Sequence, residues 1–183
     1  GTGTGVGGAG GDGIGGDGGT GGTPIPDTGD DTCPGEQYDL MLTPGTHLLL
    51  GGDTSTATDD YQHAALCGSE GANGKDRVYY FTLEGTGSFD IQVRPAAGSS
   101  LNPTLIFFDD GSCGDDNNYF FCLPYFISQE GFALEFGPDA TGPYASYFQK
   151  SAFHVVVDGA FGTEGEYVLE VSYAAPSCPD QVT

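Results

Sequence analysis

The sequence predicts an all-β fold: a jelly-roll-like β-sandwich of about nine strands with an extended N-terminal arm. Three observations predict it. From residue 33 onward, nine runs of 5 to 8 residues are rich in Val, Ile, Tyr and Phe and are broken by Gly, Asp, Asn or Pro. Two of them alternate apolar and polar residues cleanly, Phe89-Ile91-Val93 and Tyr167-Leu169-Val171, as half-buried strands do. No segment shows a convincing helical period, with 59–67 the one candidate. So many short strands in one chain give two packed sheets.

The chain opens on a different material. Over residues 1–22, 14 of 22 residues are Gly, and the large apolar side chains are Val6 and Ile14. Such a segment buries too little apolar surface to offset its backbone entropy, and Gly loses the most on ordering. Pro24 and Pro26 stiffen its exit, and 27–32 is a polar linker. We therefore divide the chain into a Gly-rich arm and linker (1–32) and a domain (33–183). Within the arm, Thr2, Thr4 and Val6 alternate with Gly, giving a strand with one β-branched face and one bare face. That is a pattern for adding to a sheet edge. Gly also recurs at 7, 10, 13, 16, 19 and 22, and 7–15 fits one calcium β-roll nonapeptide with Asp12 and Ile14 in place. The next copy fails, so a β-roll is not expected.

The predicted strands follow in order. Runs 37–42 and 46–50 flank Pro44-Gly45, a hairpin signal. Then come 77–83, 88–93, 104–108, 119–123, 132–136, 153–157 and 166–173. Between 107 and 153 the aromatic load is heavy, and Phe107-Phe108 and Tyr119-Phe120-Phe121 point rings to both faces of their strands. A two-sheet sandwich buries one face of each sheet. The other must be exposed, covered by the long 123–150 segment, or buried against another subunit.

Charge narrows the function. Lys and Arg number 4 against 26 Asp and Glu, a formal net charge of -22. A surface this acidic repels phosphate backbones and anionic lipid, so nucleic acid is excluded as a partner. No apolar run is long enough for a membrane span. The first residue is Gly, so a processed, exported chain is expected.

The stretch Asp76-Arg77-Val78-Tyr79-Tyr80-Phe81 resembles a recurrent element of bacterial pre-peptidase C-terminal (PPC-like) domains. So do Pro103-Thr104-Leu105-Ile106-Phe107-Phe108 with Gly111-Ser112-Cys113, and Phe153-His154-Val155-Val156-Val157-Asp158-Gly159 followed by Gly165-Glu166-Tyr167-Val168-Leu169-Glu170-Val171. The resemblance covers about 33–173. It implies a β-sandwich module of secreted or surface proteins, used for binding or adhesion rather than catalysis. The 123–150 segment departs from it, being longer and more aromatic.

The five cysteines are Cys33, Cys67, Cys113, Cys122 and Cys178, with no CxxC pair, so an oxidised framework is expected. Local geometry and the resemblance together pair Cys113 with Cys122 across an acidic loop. Cys33 then pairs with Cys67, leaving Cys178 spare, or with Cys178 itself.

For chemistry, His47, His63 and His154 stand in no catalytic motif, and no GxSxG, HExxH or phosphate-binding loop occurs, so no enzyme is expected. Asp109, Asp110, Asp115 and Asp116 crowd one loop and are the candidate ligands for Ca²⁺, which takes six to eight oxygens. The leading expectation is a subunit of a bacterial extracellular fibre or cell-surface assembly. It would be a homopolymer joined by donation of the arm (Thr2, Thr4, Val6, Ile14) to a neighbour, with the aromatic 107–153 region as acceptor. The alternative is a calcium-dependent adhesion or ligand-binding module on a flexible tether.

Overall fold

A computed structural model of the chain describes residues 29–33, 39–61, 73–113, 119–137 and 149–175. Nine strands form: β1 Asp39–Leu42, β2 Thr46–Asp53, β3 Arg77–Leu83, β4 Gly87–Pro95, β5 Pro103–Asp109, β6 Tyr119–Leu123, β7 Phe132–Phe136, β8 Ala152–Gly159 and β9 Glu166–Ala174. Each coincides with a predicted run. One sheet has the order β1-β3-β8-β5-β6, the other β2-β9-β4-β7.

The wiring is that of a jelly roll. Antiparallel pairs β2–β9, β3–β8, β4–β7 and β5–β6 make one long ribbon folded back on itself, and successive pairs alternate between the sheets. Pairings β4–β9 and β5–β8 join the ribbon segments into sheets. Strand β1 lies outside the ribbon and runs parallel to β3.

Alternation decides the core. From the β2 sheet, Phe89, Ile91, Val93, Leu169 and Val171 point inward; from the β3 sheet, Tyr79, Phe81, Leu105, Phe107 and Phe153 meet them. Phe153 is the hub, with ring centroids 5.8 Å from Phe81, 5.3 Å from Phe89 and 6.2 Å from Phe107. Strands β5 and β8 are buried on both faces, which is why they read as continuous apolar runs rather than alternating ones.

Two expectations are corrected. The Pro44-Gly45 turn forms, with Thr46 N donating to Thr43 O at 2.9 Å and Gly45 at φ 99°, but it is no hairpin. It carries the chain from β1 in one sheet to β2 in the other, so that buried Leu42 and Leu50 reach the core from opposite sides. A short helix, α1 (Tyr125–Glu130), interrupts the 123–150 segment; of the helical candidate 59–67, residues 59–61 are not helical and 62–67 lie outside the described residues. Six residues are too few to show a period. The Ser128 hydroxyl ties α1 to Pro103 O, and Gly131 at φ 91° ends it.

The outer aromatic face holds a core of its own. Val78, Ile106, Phe108 and Val156 form a second, smaller core on the outer side of the β3 sheet, with Tyr61. Among the described residues, Cys33, Cys113, Tyr119 and Cys122 pack against it. Phe107 meanwhile packs inward on Phe120 and Phe121, at 6.1 and 5.6 Å, where β6 carries a bulge.

Candidate functional site

The root of the arm is fastened to the sandwich. Asp30 N donates to Val78 O at 3.0 Å and Val78 N to Asp30 O at 2.8 Å, an antiparallel bridge on the edge of β3. Strand β1 takes the other half of that edge, from Tyr80 to Leu83. Thr58 N donates to Asp31 Oδ1 at 2.7 Å, and Cys33 N to the Tyr61 hydroxyl at 2.7 Å. The Cys33–Cys113 disulfide closes the contact. Residues 29–33 thus lie against the sandwich, although composition alone groups most of them with the arm.

That bond corrects the disulfide expectations. Cys113 is joined to Cys33, so neither Cys113–Cys122, Cys33–Cys67 nor Cys33–Cys178 is formed. The reason is in the register. Cys122 lies on β6 opposite Ile106, well down the strand from the turn that holds Cys113. Cys122 is itself disulfide-bonded. Cys67 and Cys178 lie outside the described residues.

Beneath the arm's root, two carboxyls are buried together. Asp76 Oδ2 accepts from Asp60 N at 2.8 Å and Tyr61 N at 3.0 Å, and Asp158 Oδ1 accepts from Gly74 N at 3.0 Å. Both side chains are fully buried. With both ionised, Asp76 Oδ1 and Asp158 Oδ2 would have no donor. One proton on the pair turns their contact into a hydrogen bond. Burial pushes both carboxyls up, Asp76 to about 7 and Asp158 further, and the charge of Asp76 adds to the rise at Asp158. Asp76 and Asp158 each stand in a run that carries the PPC resemblance, but nothing in the sequence pointed to their pairing.

Asp109 is ion-paired with Lys150 at 2.7 Å, and Asp110 accepts from the Tyr80 hydroxyl at 3.3 Å. Asp115 and Asp116 lie outside the described residues, as do Thr2, Thr4, Val6, Ile14 and His63. Among the described residues, no three His, Cys, Asp or Glu side chains gather as a metal site. His47 bonds Glu170 at 3.0 Å on the exposed sheet face, and His154 is buried, its ring 4.6 Å from that of Tyr80. All four Lys and Arg are engaged within the fold: Lys75 with Glu164, Arg77 with Asp53 O and Thr56, Arg94 with Glu170, and Lys150 with Asp109. No described helix is long and apolar enough to cross a membrane.

Opposite this anchored face of β3 stands the edge of the other sheet, β2. Leu49 on β2 is 44% exposed and Met41 on β1 64%, large apolar side chains on the outer faces of the two sheets. Phe126 and Phe161 are also exposed and flank half-buried Tyr125, each with its ring centroid 5.7 Å from the tyrosine's, and Phe161 lies in the left-handed region at φ 61°.

No protein-family model and no curated protein matches this sequence. Among solved structures, the chain is similar to the pre-peptidase C-terminal domain of collagenase from Bacillus anthracis, at 15% identity and a TM-score of 0.40, over 73% of this chain and 96% of that one. At that level the likeness carries no argument, and the architecture rests on this chain's own strand pairing.

Proposed function

We propose that this chain is a non-catalytic structural subunit of a bacterial extracellular fibre or cell-surface assembly, joined by donation of its N-terminal arm to a neighbouring copy. One observation carries the reading. The arm's root is held by a two-bond bridge to β3 and by a cross-link to Cys113. A tether that merely spaces a module needs no such anchor; an arm that transmits load into a sandwich does. Disulfide use supports an oxidising location outside the cell. Donation of an arm to the next copy does not close on itself, so it propagates a filament.

Electron microscopy and light scattering of the full chain and of a chain lacking residues 1–22 test this. Every described contact lies at or beyond Gly29, so the shortened chain keeps its sandwich. The full chain is expected to form filaments and the shortened one to stay monomeric. Filaments from the shortened chain, or none from the full one, overturn the reading.

A further inference from the structure

Resting on that reading, we infer that the acceptor for the donated arm is the free edge of β2. Four strands stand at sheet edges, and β2 is the longest at 8 residues, against 4 for β1 and 5 each for β6 and β7. All eight residues pair with β9 on one side. Among the described residues no strand pairs with the other side.

The alternation of the ladder says which groups are available. Thr54 N bonds Gly165 O, and Ala96 N bonds Glu166 O. With the β2–β9 register, the even residues of β2 therefore bond β9, and His47, Leu49 and Gly51 turn their N–H and C=O groups outward. Exposed edges are normally blunted by Lys, Pro, a bulge or brevity. Strand β2, Thr46-His47-Leu48-Leu49-Leu50-Gly51-Gly52-Asp53, has none of these. It instead leaves Leu49 half-exposed beside open hydrogen-bonding groups.

Charge selects the occupant. In a chain of net charge -22, two carboxylate-bearing surfaces repel each other. Residues 1–11 carry no ionisable side chain, and β2 carries no carboxylate before Asp53. The two segments that would meet are thus neutral stretches of a strongly acidic molecule. Reach is ample. The 28 residues before Gly29 span up to about 90 Å when extended, while a strand of eight residues needs roughly 26 Å. Three outward N–H and C=O pairs, spaced two residues apart, match the alternation of Thr2, Thr4 and Val6 with Gly. The branched row covers Leu49, and the bare Gly row passes over Leu48, which is only partly buried.

Complementation between two variants tests this. The acceptor-only chain lacks residues 1–22 and keeps β2. The donor-only chain keeps the arm and carries Leu49→Pro, which removes an outward N–H at a solvent-facing edge position. Leu49→Lys, which leaves the backbone intact, serves if the first fails to fold as judged by thermal melting. Each is expected to be monomeric alone, and an equimolar mixture to double in mass by light scattering and stop there, because the pair has no second arm or open edge to use. If donor-only chains still form filaments while acceptor-only chains do not, arm donation stands and β2 is not the acceptor. If acceptor-only chains form filaments, the arm reading falls with it and edge-to-edge pairing of two copies takes its place. Monomers of both kinds that give no pair on mixing show each arm on its own β2 or elsewhere, and overturn the inference.

Discussion

Asp76 and Asp158 bury their carboxyls in contact beneath the arm's root, and Asp76 also fixes the 60–61 segment through two backbone amides. The pair makes folding proton-linked. Both folded-state values lie above the ordinary carboxylate range, so above about pH 4 the native state binds more protons than the unfolded chain. The stabilising contribution is fully present below that pH and is lost as pH rises through the folded value, about 7 for Asp76. One proton retained across three pH units is worth up to about 4 kcal/mol. Urea melts are expected to show falling stability from pH 4 to 8. Asp158→Asn keeps the shape and supplies an N–H where the shared proton stood, so its pH slope should be flatter and its stability at pH 8 higher than the parent's. A variant as steep as the parent would show that general carboxylate repulsion, not this pair, sets the slope.

The Cys33–Cys113 bond spans a sequence separation of 80 residues. Closing a loop of that length stabilises by on the order of 4 kcal/mol in the chain-entropy account. Cys33→Ser should lower the melting temperature and speed hydrogen exchange at the Asp30 and Val78 amides, which bridge the arm's root to β3. Peptide mapping without reduction gives the direct answer. A fragment joining Cys113 to Cys122 would refute the pairing.

Most of the fold was legible because strands declare themselves over short windows. Phe89-Ile91-Val93 and Tyr167-Leu169-Val171 alternate in sequence and are buried residue by residue. What failed was everything that depends on register between distant segments. Whether Pro44-Gly45 makes a hairpin depends on where β1 finds its partner, and β3 outcompeted β2. Cys113 looked nearest Cys122 along the chain, yet folding brings Cys33 to it across the outer face of the sheet. The aromatic excess was read correctly as two-faced, since Phe107 lies in the main core and Phe108 in the second one. The buried Asp76–Asp158 pair had no signal at all, since an Asp at a strand end is ordinary turn chemistry until another strand end is laid against it.

Core and surface aromatics should separate sharply on truncation. Phe153 is fully buried among Phe81, Phe89 and Phe107, so Phe153→Ala leaves a cavity between the sheets and is expected to cost about 3–5 kcal/mol. Phe126 is 55% exposed, and Phe126→Ala should stay within about 0.5 kcal/mol of the parent. Chemical denaturation of both variants checks this, and comparable losses would mean that the Phe126 face is buried in solution.

Gly52 and Tyr167 make the tightest fit in the β2 sheet. They are opposite each other in the ladder, and the Tyr167 ring lies where a Gly52 side chain would be, its hydroxyl 2.8 Å from that of Tyr79 in the core. Gly52→Ala must displace that ring or bend β2, because both ends of the tyrosine are committed. The expected cost is about 1–3 kcal/mol, as for other overpacked sites. Tyr167→Leu removes the obstruction, so Gly52→Ala should cost much less in that background, a coupling that a double-mutant cycle reads directly. If the two substitutions add without coupling, the close approach of ring and strand is not what holds Gly at position 52.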